Sequence, residues 1–96
     1  MASSSRFRIL ETDEFRKGLN KLPVMEASFL RRKLEGYVYP LLREAPFFGP
    51  NIGKLKGYVP ETWRYRIGRF RVFCRVDEAM GKVSIISVDL RRDAYR

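Results

Sequence analysis

At 96 residues the chain is long enough for one modest hydrophobic core and no more. Its 45% apolar share, with seven Phe, five Tyr and one Trp, excludes a disordered chain; one Cys and no His exclude an internal disulfide, His-built metal sites and Ser–His or Cys–His catalysis. Twenty Lys and Arg against eleven acidic residues leave a formal charge of +9, which favours nucleic acid or an acidic protein as partner.

Met1-Ala2-Ser3-Ser4-Ser5 reads as a flexible leader to a single domain occupying residues 1–96. No apolar run reaches the length of a membrane span and nothing resembles a signal peptide, so the expected location is cytoplasmic, with no membrane partner. Arg6 to Leu10 is expected as a first strand. Thr12 or Asp13 then caps a helix carrying Phe15, Leu19 and Leu22 on one face, weakened slightly by Gly18 and ended by Leu22-Pro23. A second helix follows Pro23 and buries Ala27, Leu30, Leu34 and Val38. Arg31, Arg32, Lys33 and Glu35 fall mainly on its outer face, where a solvated surface is the plainer reading and a grip on nucleic-acid backbone the bolder one.

Pro40 to Pro46 is a turn or short helical piece. Phe47 to Thr62 reads as loop, punctuated by Gly49, Pro50, Asn51, Gly53, Gly57 and Pro60. Within it, Lys54-Leu55-Lys56-Gly57 sets two cations around one apolar anchor, as a solvated loop or as a contact to RNA backbone. A hairpin runs from Trp63 to about Val76, a turn spans Asp77 to Gly81, and Lys82 to Val88 forms the last strand. Asp89 to Arg96 is a polar, Arg-rich tail. The expected fold is α+β in the order β-α-α-β-β-β, two N-terminal helices packed on a small antiparallel sheet.

The hairpin is the most informative stretch. Trp63, Tyr65 and Ile67 alternate with Arg64 and Arg66, the period of a strand with two distinct faces. Gly68-Arg69 fits a two-residue turn with Gly in the first central position. That turn pairs Ile67 with Phe70 and sets Arg66 opposite Arg71. Like charges in a cross-strand pair destabilise a sheet, so two facing guanidiniums imply an anion above them, and phosphate is the anion that Arg grips best. In a meander, Arg64, Arg66 and Arg71 share one face, with Arg91 and Tyr95 following the final strand. Phe73 and Ile85 on that same face are either a stacking surface or a second core. Trp63, Tyr65, Phe70, Val72 and Cys74 are expected in the core, and Arg69 and Arg75 in solvent.

Such a surface suits a phosphodiester chain with stacked bases. Cleavage by it requires a base on the 2′-OH, charge stabilisation at phosphorus and a proton for the leaving oxygen. Without His, the candidates for proton transfer are Tyr, Lys, Asp or Glu, and a cluster of Arg favours the phenolate of Tyr95. A binding module without chemistry remains the competing reading of these residues.

Lys54-Leu55-Lys56-Gly57, Trp63-Arg64-Tyr65-Arg66-Ile67-Gly68, Phe70-Arg71-Val72-Phe73 and the ending Arg91-Arg92-Asp93-Ala94-Tyr95 resemble the RelE/ParE superfamily of toxins from toxin–antitoxin modules, over nearly the whole chain. The resemblance implies ribosome-dependent cleavage of messenger RNA by 2′-OH attack, leaving a 2′,3′-cyclic phosphate, with no metal or organic cofactor. It also implies two partners, a cognate antitoxin and the ribosome carrying its message. Arg64 and Arg66 take the place of the family's basic residues on the second strand, Arg71 that of the phosphate-contacting arginine. Arg91 corresponds to the arginine that stabilises or protonates the leaving group, and Tyr95 to the C-terminal tyrosine that stacks on a base or moves a proton. Leu90 stands where many relatives carry His, and Arg64 and Arg66 where well-known ribonuclease members carry Lys. Since guanidinium is a poor proton shuttle, these departures weight the assignments toward phosphate binding. The ParE branch shares the fold but poisons DNA gyrase. Together, Arg64, Arg66, Arg71, Arg91 and Tyr95 favour the ribonuclease branch over a gyrase poison or a non-catalytic RNA-binding protein.

Overall fold

The computed structural model describes residues 6–90 of the chain. The first strand, β1, is Arg8–Glu11, two residues later than expected. Its lead-in is diverted because the N–H groups of Arg6 and Phe7 both donate to the carbonyl of Arg43, at 2.9 and 3.0 Å. Thr12 then does two jobs at once. Its Oγ1 accepts the N–H of Phe15 at 3.1 Å, capping α1 (Asp13–Asn20). The same hydroxyl lies 2.8 and 3.0 Å from the carbonyls of Ile85 and Ile86, which fastens the helix start to the sheet. Asp13 and Glu14 in the first turn suit the positive end of the helix dipole.

The expected second helix and the piece after Pro40 form one continuous helical run. It comprises α2 (Val24–Lys33), a π-helical turn (Leu34–Val38) and α3 (Tyr39–Glu44). Pro40 has no N–H to give the preceding turn, and the wider turn immediately before it relieves the clash an α-helix would suffer there. The π turn also serves the core. Leu30, Leu34, Val38 and Leu42 recur every four residues, a spacing that drifts around an ideal helix of 3.6 residues per turn. Widening one turn takes up part of that drift, and all four are 2% exposed or less.

The sheet has five strands in the order β1-β5-β4-β3-β2. The others are β2 (Ile52–Lys54), β3 (Trp63–Ile67), β4 (Phe70–Asp77) and β5 (Lys82–Leu90). Three features depart from the expected pattern. The sheet is mixed, because β1 pairs parallel with β5 while every other pair is antiparallel. The stretch expected as loop contains β2, an edge strand of only three residues with Gly53 at its centre. The last strand runs on to Leu90, so Asp89 and Leu90 belong to the sheet rather than to a tail. The polar tail from residue 91 onward, with Arg91 and Tyr95, lies outside the described residues, as does the leader over 1–5.

The hairpin register is the expected one: Ile67 pairs with Phe70, Arg66 with Arg71, and Gly68 turns the chain at φ +56°. Phe15, Leu30, Leu34, Val72, Cys74, Val83 and Ile85 form the fully buried centre between helices and sheet, with Tyr65, Ile67 and Phe70 beside them. Trp63 packs against this core and Arg75 is exposed, both as expected. Burial pushes the Cys74 thiol up to about 12, which leaves it inert near neutrality. Ile85 is a correction. A bulge between β4 and β5 pairs Phe73 with Ser87 but Cys74 with Ile85, leaving Ile86 as the extra residue. That one-residue shift turns Ile85 into the core and leaves Phe73 on the opposite face without it. Among the described residues, no helix is long and apolar enough to cross a membrane.

Candidate nucleic-acid interface

The helices cover the face of the sheet that carries Tyr65, Ile67, Phe70 and Val72. Strand alternation therefore turns Arg64 and Arg66 of β3, and Arg71 and Phe73 of β4, to the other face. Ser87 and Asp89 of β5 join them, opposite Phe73 and Arg71. Arg66 is exposed, while Arg64, Arg71, Phe73 and Ser87 are half-buried.

None of the three arginines forms an ion pair among the described residues. Arg16, Arg31, Lys54 and Arg69 each have one, with Asp13, Glu11 and Glu35, Glu61, and Glu26 respectively. Among the described residues these acidic groups are spent elsewhere, while Arg64, Arg66 and Arg71 are left without an acidic partner. Arg66 and Arg71 face each other in register, a like-charge pair that costs the sheet stability and that an anion between them would relieve. Asp89 stands across from Arg71 on the other side, yet makes no ion pair with it.

Arg64 also has unused hydrogen-bonding capacity. Its Nε is buried with no hydrogen-bond partner. A buried donor left unmade costs about 1–3 kcal/mol, which a phosphate oxygen would recover. Its guanidinium leans over β2, where a Cβ at position 53 would come 3.3 Å from Nη2. Gly53 is therefore the seat of Arg64, a role its place in an apparent loop did not reveal. Gly53→Ala is expected to leave thermal stability nearly unchanged, because only the end of a flexible side chain must give way. It should weaken anion or RNA binding in the same sense as Arg64→Ala but less, as read by fluorescence anisotropy with a labelled single-stranded RNA.

The structure brings together Arg64, Arg66 and Arg71. It sets Lys54 in register with Trp63, on the opposite face, with its Nζ 2.8 Å from Glu61. Lys56 is exposed in the turn beyond β2. Among the described residues, no three acidic or Cys side chains cluster closely enough to hold a metal ion.

A second polar cluster lies at the β1 edge. Glu11 Oε2 accepts from Arg31 Nη1 and from the Tyr39 hydroxyl, both at 2.6 Å, and Arg31 reaches Glu35 at 3.2 Å. Burial would raise the Glu11 carboxyl, but the hydrogen bonds from Tyr39 and Arg31 outweigh it and hold the group below the usual carboxylate range. Burial and the Glu11 hydrogen bond together push the Tyr39 phenol well above its ordinary value. Its groups are spent on one another, so it ties β1 to the long helix rather than offering a reactive centre.

A helical layer on one face of a five-stranded mixed sheet leaves the face of Arg64, Arg66 and Arg71 uncovered by helices, and this fold is RelE-like. Neither a protein-family model nor a curated protein matches the sequence. Solved structures do. The chain is similar to the toxin–antitoxin complex RelBE2 of Mycobacterium tuberculosis, with TM-score 0.71 and 23% identity over 90% of this chain and 99% of that one. It is similar to the archaeal RelE–RelB complex of Pyrococcus horikoshii, with TM-score 0.66, 25% identity, and coverage of 90% and 96%. It is also similar to E. coli toxin RelE in the free state, with TM-score 0.63, 22% identity, and coverage of 95% and 88%.

Proposed function

We propose that this chain is the toxin of a toxin–antitoxin pair and acts as a ribosome-dependent endoribonuclease on messenger RNA. The observation that carries the proposal is the set Arg64, Arg66 and Arg71 on one sheet face, without an ion pair among the described residues and two of them directly opposed. The RelE fold, seen in solved toxin–antitoxin complexes, supports the same reading.

In this account the three guanidiniums hold the scissile phosphate and stabilise the extra negative charge that develops as the 2′-oxygen attacks phosphorus. The bond to the 5′-oxygen breaks, leaving a 2′,3′-cyclic phosphate on one fragment and a 5′-hydroxyl on the other. Removing the 2′-proton and supplying one to the leaving oxygen fall to groups other than the guanidiniums. Tyr95 is proposed for proton transfer or base stacking, and Arg91 for the leaving group. Lys54 and Lys56 are proposed as outer contacts to RNA backbone, with Lys54 first giving up Glu61. No metal or organic cofactor enters. The antitoxin is proposed to bring acidic residues to this face, where charge complementarity with +9 speeds and orders association.

Induced expression in a bacterial host tests this reading. The expected result is arrest of labelled amino-acid incorporation within minutes, without a DNA-damage response. A damage response with translation intact overturns it in favour of a ParE-like gyrase poison. Neither effect, with folded protein present, favours a non-catalytic RNA-binding protein.

A further inference from the structure

Among the strand residues described, Phe73 is the aromatic side chain on the arginine face, and the residues that pair with it or flank it along its strand on that face are polar. Across β3 it faces Arg64, and across β5 it faces Ser87. Arg71 and Arg75 flank it along its own strand. The bulge just beyond it removes Ile85, the apolar neighbour that an unbroken register would have supplied, and buries it in the core. Ile86, the half-buried extra residue of the bulge, stands beside Ser87 and is not packed against the core, so it is the apolar edge of this surface. Arg64 leans away from Phe73 toward Gly53, so its guanidinium does not cover the ring. The ring pairs of the described residues are Phe7 with Phe47 and Phe47 with Trp63, and the cation over a ring is Lys33 at Phe29. Phe73 takes part in none of them.

We propose, resting on the RNA-cleavage reading above, that Phe73 is a stacking platform for one base of a single-stranded RNA whose backbone lies along Arg64, Arg66 and Arg71. Bases stack on exposed aromatic rings of sheet faces, and the flanking cations take the phosphates. Arg71 and Phe73 are two residues apart on one strand, about 6.8 Å, which suits a phosphate and the base adjoining it. The charge of this face selects the occupant, since a polyanion satisfies three guanidiniums that have no acidic partner among the described residues. Stacking on Phe73 would fix the position of the strand, and so which phosphate meets the arginines.

The test compares the wild type, Phe73→Leu and Phe73→Trp for binding of a short fluorescein-labelled single-stranded RNA, with thermal melts to confirm folding. Phe73→Leu keeps apolar volume and loses the ring. It is expected to weaken binding about tenfold without changing the dependence on salt, because no phosphate contact is lost. Phe73→Trp is expected to restore binding. Replacing single nucleotides by abasic ones should weaken wild-type binding at one position, and that penalty should vanish in Phe73→Leu. Binding equal in wild type and Phe73→Leu, or an abasic scan without that position, overturns the platform and leaves the cleavage reading standing. Ribosomal cleavage by a wild type that binds no free RNA also overturns the platform alone. Neither RNA binding nor ribosomal cleavage overturns both.

Discussion

Arg66→Ala and Arg71→Ala are each expected to lower messenger cleavage about 100-fold or more while leaving the fold intact. Removing one preorganised group that meets the developing charge of a transition state costs about that much in comparable sites. The stability effect runs the other way. The two guanidiniums face each other, so deleting Arg66 relieves a repulsion of roughly 0.2–1 kcal/mol, while deleting Arg71 also removes the charge that Asp89 faces and is nearly neutral. A melt should therefore hold or rise slightly while activity collapses, which a merely structural pair would not do. Arg71→Lys should recover only part of the activity, because an ammonium cannot present the two-pronged grip of a guanidinium. Cleavage rates and thermal melts on the same preparations check both halves. Full activity in both alanine variants would remove the hairpin face from the chemistry.

Glu11→Ala is expected to destabilise the protein by about 2–3 kcal/mol, read by urea unfolding, with a melting temperature roughly 10 °C or more lower. The carboxylate holds Arg31 before the π turn and Tyr39 after it, so one truncation leaves the Tyr39 hydroxyl without its acceptor and Arg31 with Glu35 alone. Tyr39→Phe should cost less, about 1 kcal/mol, because Glu11 keeps Arg31. The pH dependence follows from the two shifts. The Glu11 carboxyl is lowered in the fold, so its contribution is fully present above the unfolded value of about 4.3 and is lost as pH falls through the folded value. The Tyr39 phenol is raised, so its contribution is fully present below about pH 10 and is lost as pH rises further. The wild type should thus weaken at both ends of the pH range, and Glu11→Ala should remove the Glu11 share of the acid limb and reduce the alkaline limb, which the burial of Tyr39 also sustains.

What the sequence disclosed tracks how local the determining signal is. The hairpin was legible because the alternation of Trp63, Tyr65 and Ile67 with Arg64 and Arg66 sets the faces and Gly68 sets the turn; together they fix the pairing of Arg66 with Arg71. The stripe Leu30, Leu34 and Val38 was legible for the same reason, while its continuation through a π turn to Leu42 was hidden behind Pro40. The parallel partnership of β1 and β5 joins the two ends of the described chain and leaves no local trace. Nor does β2, three residues held by pairing with β3. The bulge beside Phe73 reversed the face of Ile85, since in a strand one extra residue exchanges inside for outside. In the candidate site, three arginines were legible, but the seat that Gly53 provides for Arg64 and the partner that Glu61 provides for Lys54 depend on pairing across a loop. The Glu11–Arg31–Tyr39 cluster is likewise made by residues far apart in the chain.

The proposed activity of this arginine face is cleavage of messenger RNA in the ribosome. Primer extension on a reporter message in a reconstituted translation system, with and without the protein, tests it most directly. Discrete cuts within codons at the decoding site are expected, dependent on ribosomes and absent with Arg71→Ala. An uncut message in the presence of folded wild-type protein would contradict this activity.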